Sequence, residues 1–315
     1  VLAVVVLGVV VAGAGAWAAR GAFREWWLLR QAETGTAEEQ QAAIAQLVEM
    51  GSETVVPVLV RRLRRIVSET DNSPFYLPFA VEQSFDGDES FAATAWKAEP
   101  ARVFDPDVMG TLDSLMSIEP LGVAALVVLL SADDTRVANA AGWVLGRAPK
   151  EFARDIARIF AEGHAGASER AAGVLFTMRE RRAPALEFIL KALADADSWE
   201  RRALAARLLA VQDGSDNIDA LIGALDDEHV GVRIAAMSAL STYGERASRA
   251  ARAVAVHLED SNATARFFAV YTLGEIGVDA SFALPKLRDL SRADPTLWVS
   301  DYARTAIEKI TGDFD

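Results

Sequence analysis

The sequence predicts an all-α, right-handed solenoid of stacked helix pairs, preceded by one N-terminal transmembrane helix. Three observations carry this. Leu225-Asp226-Asp227, Val232-Arg233, Leu240 and Gly244 recur as Leu258-Glu259-Asp260, Ala265-Arg266, Leu273 and Gly277, each 33 residues on. A fixed period of this length marks a stacked repeat protein. Within each unit two apolar stripes run at helical spacing: Ile218, Leu221, Ile222 and Leu225 before Ala236, Leu240 and Tyr243, then Ala251, Val254, Ala255 and Leu258 before Ala269, Leu273 and Ile276. A lone helix pair cannot bury both faces, so the units must stack, with Leu240 and Leu273 in the core. Third, Val1–Ala19 contains no charged residue.

Taken in order, the chain begins with that apolar run. Nineteen helical residues rise ~28 Å, close to the hydrocarbon thickness of a bilayer. Arg20 and Arg24 follow, then Trp26-Trp27, an interfacial aromatic pair. The reading is a single-pass membrane anchor over 1–19. A cleaved signal peptide is the alternative, since Ala14-Gly15-Ala16 and Ala16-Trp17-Ala18 are A-x-A sites. By the positive-inside rule Arg20, Arg24 and Arg30 lean the soluble part to the cytoplasmic side, and an exported domain is the alternative. Residues 20–36 read as a juxtamembrane linker.

The solenoid is expected over 37–312. Thr36 is the N-cap of its first helix, with Glu39 as capping-box partner. First helices of the repeats open near Pro57, Pro120, Glu151, Pro184, Ile218, Ala251 and Pro285. Second helices centre near Ala43, Leu112, Ala141, Gly173, Ala205, Ala236, Ala269 and Ala303. The step from Pro57 to Pro120 is twice the period, which marks an insertion at 67–106. It carries Pro74, Pro78, Pro100 and Pro106 and the aromatics Phe75, Tyr76, Phe79, Phe85, Phe91, Trp96 and Phe104. Disordered segments are poor in aromatics, so these side chains are expected to pack, against the solenoid or against a partner.

The turns sharpen the assignment. Asp195 precedes Arg201 by six residues, Asp227 precedes Arg233 by six, and Asp260 precedes Arg266 by six. An inter-helix Asp, an Arg early in the second helix, Ala-rich positions and a closing Leu-x-x-x-Gly resemble the HEAT repeat. Val232-Arg233-x-x-Ala236-x-x-Ala239-Leu240 and Arg266-x-x-Ala269-x-x-x-Leu273-Gly274-x-Ile276-Gly277 resemble its short bacterial form, found in phycobilin-lyase-like repeats. The resemblance implies an armadillo-like superhelix. It also implies a structural ladder in which Asp195, Arg201, Asp227, Arg233, Asp260 and Arg266 link neighbouring repeats. Second helices of such proteins usually line the concave side, which would place Arg202, Arg207, His229 and Arg233 on or near that face.

Composition narrows the function classes. A net charge of −13 opposes broad nucleic-acid binding, which needs a cationic surface. There is no Cys, hence no disulfide framework and no thiolate chemistry. The three His, at 164, 229 and 257, lack metal-ligand spacing, and no phosphate loop, H-E-x-x-H or nucleophile elbow occurs. Asp86-Gly87-Asp88-Glu89 lacks the calcium-loop pattern. The sequence thus reads as a non-catalytic, membrane-anchored scaffold with no cofactor and no metal, binding protein partners through a helical-repeat surface. Candidate contacts are Phe75, Tyr76, Phe79 and Trp96 in the insertion, with Arg202, Arg207, His229 and Arg233 on the second helices. Family analogy offers a lyase-like or tetrapyrrole-handling role as the first alternative. A solenoid subunit of a larger membrane complex is the second.

Overall fold

The computed structural model describes residues 21–69, 106–194, 197–210 and 215–312. The anchor over 1–19, Asp195, and all but the two ends of the insertion over 67–106 lie outside the described residues. No strand occurs among the described residues, which form an all-helical solenoid of repeat helices. They fall into two compact units, 21–69 with 106–145, and 146–312.

Among the described residues the first unit holds six helices: α1 (21–34), α2 (Ala37–Glu49), α3 (Val56–Glu69), α4 (Pro106–Ser117), α5 (Leu121–Leu129) and α6 (Thr135–Leu145). Thr36 and Glu39 form the expected capping box: the Glu39 N–H donates to Thr36 Oγ1 at 3.3 Å and the Thr36 N–H to Glu39 Oε2 at 2.8 Å. Leu47, Leu59, Leu63, Leu112, Leu126 and Val144 are fully buried. Two boundaries differ from the sequence reading. Val67, placed at the start of the insertion, is a buried core residue of α3, which runs on to Glu69. Residues 21–34, read as a linker, are helical, because Leu28 and Ala32 provide one apolar stripe that is buried.

The second unit repeats one motif five times, each with a first helix, a short turn and a second helix. The pairs are α7 (Ala153–Glu162) with α8 (Ala165–Met178), α9 (Leu186–Ala194) with α10 (Trp199–Leu209), and α11 (Ser215–Ala224) with α12 (Val230–Ser241). Then come α13 (Ala251–Val256) with α14 (Ala263–Ile276), and α15 (Leu284–Ala293) with α16 (Leu297–Thr311). Second helices pack on their neighbours in succession, α8 on α10, α10 on α12, α12 on α14 and α14 on α16. Leu240 and Leu273 lie in that core with no exposed surface.

Between repeats the chain turns a corner through 3-10 segments. Gly244 and Gly277 open two of them at φ 55° and 77°, where a Cβ is disfavoured. Arg179 opens the equivalent corner after α8 at φ 51° and ψ −125°, a non-glycine residue in a glycine conformation. The corner at Gly277 also bears on the membrane question. Among the described residues, Ala263–Ala293 is one stretch long and apolar enough to cross a bilayer. It is broken by that corner into α14 and α15, and Val270, Leu273, Ile276 and Leu287 are buried in the solenoid core.

Candidate partner-binding surface

Arg233, Asp260 and Arg266, singled out at the repeat turns, make side-chain bonds between neighbouring repeats. Arg233 donates from Nε and Nη2 to Asp260 at 3.2 and 2.8 Å, and from Nη1 to the carbonyls of Asp227 and Glu228 at 3.1 and 3.2 Å. Arg266 repeats the arrangement one unit on. Its Nε and Nη2 reach Asp294 at 2.8 and 3.0 Å, and its Nη1 holds the carbonyls of Asp260 and Ser261. Each arginine thus clamps its own turn and forks onto the aspartate of the next. The aspartate in turn accepts a backbone N–H two residues on: His229 to Asp227 at 2.8 Å, Asn262 to Asp260 at 2.9 Å, Thr296 to Asp294 at 2.8 Å.

One rung changes hands. Arg202, not Arg201, forks onto Asp227, at 2.6 and 3.0 Å. Arg201 points the other way and donates to the carbonyls of Ala161 and Gly163 at 3.0 and 2.8 Å. The turn at Glu162-Gly163-His164 lacks an aspartate, so the end of α7 is capped by that guanidinium instead. The doubled arginine was the available signal.

These rungs are buried, and the carboxyl groups respond. Burial works to raise Asp227, and the Arg202 fork with the His229 N–H overcomes it, holding the group below the usual carboxylate range. Asp260 and Asp294 are lowered in the same way, against burial, by their backbone N–H donors and by Arg233 and Arg266. Donating the fork to Asp227 raises Arg202, and donating to Asp294 raises Arg266. His257 sits 3.6 Å from Asp260; burial lowers it below the usual imidazole range despite that carboxylate.

The candidate His229 has structural partners too. His229 is the N-cap of α12: its Nδ1 accepts the Gly231 N–H at 3.2 Å and its ring stacks on Trp199 at 3.8 Å. Gly231 permits that stack, since a Cβ there would lie 2.9 Å from Trp199 Cζ3. His164 caps α8 likewise through the Ala167 N–H at 3.3 Å. Arg207 is half-buried, and burial lowers its pKa. Phe75, Tyr76, Phe79 and Trp96 lie outside the described residues. Among the described residues no cluster of His, Asp and Glu could hold a metal ion.

Two further features were not read from the sequence. An open groove of about 450 Å³ runs between α9 and α11, walled by Leu190, Leu193, Ala220 and Gly223 and closed by the Arg202–Asp227 pair. On α14 and α16 an aromatic cluster surrounds Phe267, with Trp298 at 5.1 Å, Tyr302 at 4.6 Å and Tyr271 at 6.1 Å between ring centroids. Phe267 is buried, Tyr271 and Trp298 are half-buried, and Tyr302 is 42% exposed. Lys309 lies 5.9 Å over the Tyr271 ring and pairs with Glu275 at 2.6 Å.

Residues 186–253 match the family model described as HEAT repeats. The match spans α9 to α13, which includes the Arg202–Asp227 rung, so this part of the helical solenoid is similar to HEAT repeats. Among curated proteins none matches the chain. Solved structures similar to it include a designed armadillo repeat protein in complex with the peptide (KR)4, at 15% identity over 60% of this chain and 99% of that one, TM-score 0.46. The archaeal HEAT-like repeats protein from Thermococcus onnurineus NA1 is similar at 10% identity over 64% and 93%, TM-score 0.46. Kap121p is similar at 12% identity over 93% of this chain and 34% of that one, TM-score 0.48.

Proposed function

We propose that this HEAT-like chain is a non-catalytic scaffold, held at a membrane by Val1–Ala19, that binds a protein partner along the outward side of its second helices. The observation that supports it is the aromatic cluster on α14 and α16, where Tyr271, Trp298 and Tyr302 reach solvent around a buried Phe267. Tyr and Trp dominate the energetic centres of protein interfaces. Arg202 and Arg233 are committed to the ladder, so the contact is assigned to the tyrosines in their place. Phe75, Tyr76, Phe79 and Trp96 are retained as a second proposed contact, on their composition alone.

The test is recovery of a stoichiometric partner from native membranes with Tyr271→Ala/Tyr302→Ala. The proposal expects partner recovery to fall at least tenfold, about the effect of one interface hot spot, while the helical circular dichroism is unchanged. Undiminished recovery by the folded variant would defeat it.

A further inference from the structure

Helix α1 carries two opposed apolar faces, and only one is covered. Leu28 and Ala32 are buried, and polar bonds fix the same side: Glu25 accepts from Ser52 and from Thr54, the latter at 2.7 Å. Arg24 donates to Gln46 at 3.1 Å, and Glu33 pairs with Arg61. Helix α1 is thus clamped along its length to α2, to α3 and to the turn between them. Phe23, Trp26, Trp27 and Arg30 follow the i, i+3, i+4, i+7 pattern and therefore share the opposite face. Phe23 is 64% exposed, Trp26 52% and Trp27 46%. Phe23 and Trp26 lie 5.8 Å apart between centroids, and the Arg30 guanidinium sits 5.8 Å over the Trp26 ring. On a helix whose other side is already docked, the outward face is normally polar. A contiguous patch of three large aromatics there marks a surface that something covers.

We propose that this face is covered by the lipid bilayer: Phe23, Trp26 and Trp27 seat in the interfacial layer, with Arg30 beside lipid phosphates. The occupant follows from the chain that leads into the helix. An uncharged stretch, Val1–Ala19, ends four residues before Phe23 in the sequence, so an anchored chain brings this face to the membrane boundary. Trp is the residue type enriched at that depth, and arginine complements anionic headgroups. The consequence is mechanical. Because α1 is bonded to α2 and α3, the first unit is held against the membrane in one orientation and does not hang from a free linker. This rests on the membrane reading proposed above.

The chain has no cysteine, so single labels are clean. The full chain is placed in vesicles of phosphatidylcholine and phosphatidylglycerol, with a fluorophore at Phe23→Cys, Trp26→Cys or, as a control, Asp133→Cys in the exposed turn between α5 and α6. Alkaline carbonate extraction is run in parallel. The inference expects pelleted protein in which labels at 23 and 26 are several-fold less quenched by aqueous iodide than the label at 133. Pelleted protein with equal quenching at all three sites overturns it and leaves the anchor standing. Labels open in vesicles yet shielded in native membranes assign the face to a protein partner and also overturn it. Release by carbonate removes the anchor and this inference with it.

Discussion

Replacing Arg266 with methionine removes the last rung of the ladder while keeping most of the side chain's volume. The substitution breaks the fork to Asp294, whose side chain is 1% exposed and keeps the N–H and the side chain of Thr296 as partners. Breaking a buried pair from one side costs about 3–5 kcal/mol, because a desolvated charge is left behind. Asp294→Asn is milder. It still accepts from Thr296, and Arg266 keeps the carbonyls of Asp260 and Ser261, so the loss is about 1.5–3 kcal/mol, the range for a hydrogen bond to a charged group. Combining both removes the buried charge, so Arg266→Met/Asp294→Asn should be more stable than Arg266→Met alone. Hydrogen exchange of the α14 and α16 amides reads this directly. A loss of ~3 kcal/mol speeds exchange about a hundredfold, while α7 and α8 keep their protection because repeats contact only their neighbours. Arg266→Met within about 0.5 kcal/mol of the native chain, or a double variant that is simply additive, would refute the reasoning.

Three other outcomes follow from the same geometry. Leu273→Ala, at a fully buried position, should cost about 2–5 kcal/mol in urea unfolding, and a loss below about 0.5 kcal/mol would place that residue outside the core. Arg182 is fully buried, with its Nε and Nη2 lacking partners among the described residues, and burial lowers its pKa to about 10, so it stays charged at neutral pH. Arg182→Met should therefore be neutral or stabilising by about 1 kcal/mol, and a loss above ~2 kcal/mol in thermal unfolding would show that its bonds to the Leu175 and Phe176 carbonyls outweigh burial of the charge. Acid should destabilise the fold in two stages. His257 is held neutral, so the unfolded chain takes up the extra proton as pH falls through about 6.5. Asp227, Asp260 and Asp294 are held ionised, and their contribution is present above about 3.9 and lost as pH falls through their lower folded values. Urea midpoints that stay flat from neutral pH to about 3 would contradict both stages.

The repeat architecture was legible because its determinants are local. A 33-residue period fixes which leucines face inward, and Thr36 with Glu39 lies within one helical turn. The ladder was legible only in part. Spacing identified the aspartates of the turns, but with Arg201 and Arg202 adjacent, only the helix rotation decides which reaches Asp227 and which reaches back to Gly163. The docking of α1 was hidden because it rests on Leu28, Ala32 and polar bonds to residues 22 to 29 positions away, none of which leaves a periodic trace. The cluster around Phe267 was hidden for the same reason: Trp298 and Tyr302 reach it from the next repeat.

The central claim is a protein-binding surface on the second helices, and photo-crosslinking in native membranes tests it most directly. A crosslinking residue is placed at Tyr271 or Tyr302 on α14 and α16, or at the exposed Val256 on the first helix α13. The account predicts one discrete adduct, with the same partner, from both tyrosine positions and none from 256. An adduct from 256 alone, or none from either tyrosine position while the partner still co-purifies, would contradict it.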